Sequence, residues 1–132
     1  MTAIAQTRTR RSRGNVAMTM LCSLLALLFL VAAGMKLFAC AFETTNFAHF
    51  GYAPWFMYMI GVVEFAGAIF LAIDRTRGLA ALAMAAIMVG AVASHLRAGD
   101  GIGMAAPAAI ALVLCLVVAY ARWHDLGAIA PR

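Results

Sequence analysis

Apolar and polar positions divide the chain into four long apolar runs separated by short polar breaks. The first, Val16 to Met35, is interrupted only by Thr19 and Ser23. At about 1.5 Å of rise per residue it matches the roughly 30 Å hydrocarbon layer of a bilayer. Pro54 to Ile73 opens with proline in the first turn, where the missing N–H has no helical partner to lose, and carries a single charge, Glu64. Gly78 to Leu96 is rich in Ala and Met and uncharged until His95 and the Arg97 beyond it. Ile102 to Ala121 holds Pro107 in its early turns, which membrane helices tolerate. About four residues join the second run to the third and about six the third to the fourth. Connections this short force antiparallel neighbours and leave no room for a soluble domain. The pattern predicts an all-α, integral membrane, antiparallel four-helix bundle, with helices at about 16–41, 54–73, 78–96 and 102–121.

Composition agrees. Of 132 residues, 66% are hydrophobic and 11% charged, far from the near-half and quarter of a soluble domain. The surplus apolar surface has to face lipid. The formal charge of +5 therefore reads as topology rather than as a nucleic-acid surface, and no nucleic-acid partner is expected. Arg8, Arg10, Arg11, Arg13, Arg75, Arg77, Arg122 and Arg132, eight of the ten cations, fall on one face of such a bundle, and only Lys36 and Arg97 on the other. Cations are retained on the cytoplasmic side. Both termini are expected there, with residues 1–15 a disordered basic arm against anionic lipid and 122–132 a cytoplasmic tail. The expected location is the bacterial cytoplasmic membrane, crossed several times. The first run continues into Lys36 with no small-residue cleavage signal and is read as a helix of the mature protein.

The three cysteines carry little chemistry. Cys22 and Cys115 fall at similar depths, Cys40 lies near the opposite face, and there is no C-x-x-C. Neither a dithiol centre nor a metal site is expected. Between the first two runs, Phe42 to Ala53 interleaves aromatic and polar residues, the composition of an interfacial turn that anchors a bundle or covers a cavity.

The ionisable residues left inside the membrane are few and concentrated towards the outer half. Glu64 lies about 15 Å deep by helical rise, where an unpaired carboxylate is costly. Gly61, Gly67 and Ala68 beside it allow a neighbouring helix to approach. Lys36, about five residues before the expected end of the first helix, is positioned to pair with it. His95 lies near the outer end of the third helix, with Arg97 and Asp100 after it and with Glu43 and His49 on the same side. Lys36, Glu64 and His95 are the candidate catalytic residues. Tyr52, Trp55, Met88 and Phe38 are the candidate lining of a pocket between them, with Met84 in the same apolar wall. The plainer alternative is that Lys36 and Glu64 only pin two helices together and that His95, Arg97 and Asp100 form a solvated helix end.

The segments FLVAAGMKLF (29–38), GYAPW (51–55), GVVEFAGAIFLAI around Glu64 and AIMVGAVASHL (86–96) together resemble the pattern of DoxX-like membrane proteins. The resemblance covers the chain apart from the Arg-rich arm and the tail. It implies a four-helix fold whose typical Lys, Glu and His correspond to Lys36, Glu64 and His95. It also implies association with redox systems, notably quinone-linked thiosulfate oxidation and the membrane anchoring of detoxifying enzymes. The polar, aromatic stretch 40–49 departs from the pattern. No haem-ligand pair, iron–sulfur spacing or dinucleotide loop is present in the sequence, so an electron carrier such as a quinone would come from elsewhere. Three function classes follow: a membrane partner of a redox or detoxification system that holds a lipophilic molecule or docks a redox protein, a small intramembrane acid/base enzyme acting on a lipophilic substrate, and a structural or assembly subunit. A homo-oligomer is compatible with each, and an alternating-access transporter would require one.

Overall fold

The computed structural model describes residues 2–127, apart from the side chains of 8–12 and 125. Six helices follow one another: α1 (Thr2–Leu37), α2 (Ala41–His49), α3 (Pro54–Ala72), α4 (Arg77–Ala98), α5 (Ile102–Ala121) and the short α6 (Trp123–Gly127), with a single 3-10 turn at Asp74–Thr76. Stretches of α1, α3, α4 and α5 are long and apolar enough to cross a membrane. Their lipid-facing surface is built from side chains such as Leu27, Val62, Val89 and Val113, all exposed.

Two expected boundaries move. Helix α1 begins at Thr2 rather than Val16, so the arm expected to be disordered is helical from that residue. Once the apolar span has formed, extending a helix needs no new nucleus, and Ala, Gln and Arg are favourable formers. At the other end α1 stops at Leu37, not near residue 41. Ala39 adopts φ 51°, a left-handed conformation, and Cys40 is the N-cap of α2. The stretch expected as an interfacial turn is thus largely a helix, α2, laid across one end of the bundle. The expected lipid contact of Arg8, Arg10 and Arg11, and Arg132 in the tail, lie outside the described side chains.

Helix α1 packs along α3, α4 along α5, and α3 against α4, while α1 and α5 touch only sparsely. The directions alternate. Lys36 at the end of α1 lies against Gly61 near the start of α3, and Gly78 at the start of α4 lies against Arg122 just after α5. Without a hydrophobic drive between helices in lipid, such seams rest on close backbone approach. A Cβ on Gly61 would sit 3.1 Å from that of Lys36, and one on Gly67 only 2.4 Å from Met84 Cε.

The interior is divided. Cys22, Leu25, Leu71, Ala81, Met84, Cys115 and Val118 fill the half nearest the α3–α4 turn as a continuous core. Arg77 closes that end. Buried, it donates to the carbonyl oxygen of Leu71, to Thr19 Oγ1 and, at 2.8 Å, to Asp74, and so caps the C-terminus of α3. Asp74 also receives Arg122 at 2.9 Å. The other half, beneath α2, is hollow.

Candidate functional site

The hollow is a cavity of about 580 Å³. Helical phase decides what lines it. Phe56, Ile60 and Glu64 recur every four residues on α3 and share one face, as do Met88, Ala91 and His95 on α4 and Ala32 and Lys36 on α1. Met104, Pro107 and Ala108 of α5 complete the apolar wall, and α2 covers it with Phe42, Glu43, Asn46 and Phe47.

Two polar groupings border this space. In the first, Lys36 Nζ lies 3.1 Å from Glu64 Oε2 and 3.2 Å from Glu43 Oε1. All three side chains are buried, Glu64 to 2% exposure. The Lys36–Glu43 contact is a hydrogen bond. The Lys36–Glu64 contact is ionic without hydrogen-bond alignment, and Glu64 Oε2, shielded from solvent, has no hydrogen-bond partner among the described residues.

In the second, Asp100 bridges two imidazoles. His95 Nδ1 is 2.7 Å from Oδ2 and His49 Nε2 is 2.8 Å from Oδ1. Gly99, at φ 75°, ends α4 in the left-handed conformation that turns Asp100 back onto His95. Hydrogen bonds from His95 first, and then His49, hold the Asp100 carboxyl below its ordinary range. Phe50 meets the His95 ring edge-on at 4.9 Å. Arg97 lies 5.2 Å above the Tyr52 ring and donates to the Phe50 carbonyl. Tyr52 is joined to Ser94 at 2.8 Å, and Ser94 donates to the Gly90 carbonyl.

Of the residues singled out from sequence, Lys36, Glu64, His95, Tyr52 and Met88 border this one cavity. Phe38 and Trp55 do not. Phe38 follows the early end of α1 and is 86% exposed, and Trp55 is 66% exposed because it stands one residue, about 100° of helix, away from the Phe56 face. Met84 belongs to the packed half, against Gly67. His95, Arg97 and Asp100 stand at the end of α4, Arg97 exposed, and each is tied to the α2 connection. Sequence reasoning did not give Glu43 its place as second partner of Lys36. The signal was its position seven residues after Lys36 in a helix that the aromatic pattern concealed. Cys40 is exposed, and among the described residues no three His, Cys, Asp or Glu side chains are arranged for a metal.

Four antiparallel apolar helices, with a lid helix and buried charges at one end, define a small multi-pass membrane protein. The sequence profile of the DoxX-like family matches residues 20–118, three quarters of the chain, and the protein belongs to that family. No curated protein and no solved structure matches the chain.

Proposed function

We propose that the protein binds a lipophilic molecule with a polar head, such as a quinone or its reduced hydroquinone, in the cavity beneath α2, and serves as the membrane-embedded partner of a redox or detoxification system. One observation carries the binding step: an apolar chamber of about 580 Å³ bordered by a few polar groups, among them a buried carboxylate that has an oxygen without a hydrogen bond. That is the profile of a ligand site, with apolar walls and a few placed polar groups. Family membership supports the redox association as analogy only, because fold transfers more readily than function. The eight-to-two division of cations supports placing both termini in the cytoplasm of a bacterial cell, with the cavity end outside.

An acid/base enzyme is the second reading. The His95–Asp100 bond favours it, since a carboxylate on one imidazole nitrogen orients the other as a proton acceptor.

The test is native mass spectrometry of protein released from its own membranes in mild detergent. The proposal expects a discrete, stoichiometric lipophilic molecule, lost from Ala91→Trp, which fills the chamber. Only bulk phospholipid, equal in both proteins, overturns it.

A further inference from the structure

Resting on that binding reading, we infer that the cavity selects lipophilic hydrogen-bond donors, phenols and hydroquinones as a class, over molecules of the same shape that can only accept.

Ser94 has one hydroxyl proton and gives it to the Gly90 carbonyl at 2.8 Å. The 2.8 Å contact between Tyr52 and Ser94 is therefore donated by Tyr52, whose own proton is thereby committed. What Tyr52 has left for a ligand is lone pairs. His95 directs Nδ1 at the Asp100 carboxylate, which only accepts, so Nδ1 carries a proton and Nε2 is the ring nitrogen left for a ligand. Glu64 Oε2 faces the Lys36 ammonium at 3.1 Å, the contact of an acceptor oxygen with a cation. It is the buried side-chain oxygen without a hydrogen bond. Pro107 has no N–H, so Gly103, which borders the same space, lacks its i+4 donor.

Among the described lining residues two donors stand against these acceptors. Lys36 is already shared between two carboxylates, and Asn46 offers an amide that both gives and takes. The balance is a chamber short of protons. A ligand bringing hydroxyl protons completes the hydrogen bonds of buried acceptors, whereas a carbonyl or ether oxygen leaves them bare and adds another lone pair.

A matched pair tests this without reference to any natural ligand. Protein in nanodiscs is titrated with 4-hexylphenol and with 4-hexylanisole, in which a methyl replaces the hydroxyl proton, and binding is read above that of empty nanodiscs. A hydrogen bond to a charged acceptor corresponds to about a tenfold preference or more, and the phenol is expected to win by that factor. Glu64→Gln, which turns the acceptor into an amide, is expected to shrink the preference while still binding both compounds. Equal affinity of the native protein for phenol and ether overturns the donor selectivity and leaves the binding site standing. Binding of neither compound overturns the binding reading and this inference with it.

Discussion

Lys36 Nζ stands 3.1 Å from Glu64 Oε2, which ties the end of α1 to the middle of α3 inside an apolar bundle. Glu43 reaches the same ammonium from α2 at 3.2 Å. One cation thus serves two buried carboxylates, and the three variants are not equivalent. Lys36→Met strands both anions and is expected to destabilise by about 3–5 kcal/mol. Glu64→Gln or Glu43→Gln leaves the cation one partner and costs less. The triple replacement recovers much of the Lys36→Met loss. Unfolding in detergent micelles measures all four, and equal losses for Lys36→Met and Glu64→Gln contradict the shared cation.

Much of the bundle was legible in the chain. Apolar run length placed α3, α4 and α5 within two residues of their ends, because a membrane helix must satisfy every backbone group internally and so tracks its apolar stretch. Lys36 and Glu64 were legible as a pair for the same reason, since neither is tolerable alone in lipid. The end of α1 was not. Nothing in Met35 to Ala41 is polar enough to mark a break apart from Lys36, and the left-handed turn falls on Ala39, a residue type that does not signal one. Glu43 and His49 acquire partners only through that fold. Aromatic composition alone does not separate Trp55 and Phe38 from the cavity lining, whereas the recurrence of Phe56, Ile60 and Glu64 at four-residue spacing marks the inward face.

The seam between α3 and α4 gives a second expected outcome. A Cβ at position 67 would lie 2.4 Å from Met84 Cε and 2.6 Å from its Sδ, in a core where Met84 is buried. Gly67→Ala is expected to cost about 1 kcal/mol, the low end for overpacking, because the atoms it meets are the mobile end of the Met84 side chain. Met84→Ala alone costs about 2–5 kcal/mol by leaving a void. The double variant should lose clearly less than the sum, because each change relieves the other, and strict additivity in thermal unfolding refutes the contact.

Acid should weaken the link between the α2 connection and α4. His95 and His49 hold the Asp100 carboxyl below its ordinary value near 4. A carboxyl lowered on folding stabilises above its unfolded value and loses that contribution as pH falls through its folded value. The melting-temperature gap between native protein and Asp100→Asn should therefore start to narrow as pH falls through about 4 and close once pH is below the lowered folded value. A gap that persists unchanged down to pH 2 contradicts the bridge.

Cys40 is exposed at the α2 end, while Cys22 and Cys115 are buried. With both termini cytoplasmic, a membrane-impermeant maleimide should label Cys40, or a cysteine placed at Thr45, in intact cells. Cys22 and Cys115 should remain unreactive until the protein is denatured. Labelling of position 45 only after permeabilisation reverses the orientation.

The most direct test of the cavity as a ligand site is photoaffinity mapping with a diazirine-bearing alkylphenol on membranes containing the protein. Crosslinks are expected at cavity residues such as Met88, Met104 and Phe47, and excess 4-hexylphenol should suppress them. Crosslinks spread over lipid-facing residues such as Leu27, Val62 and Val113, unchanged by competitor, would contradict a ligand site beneath α2.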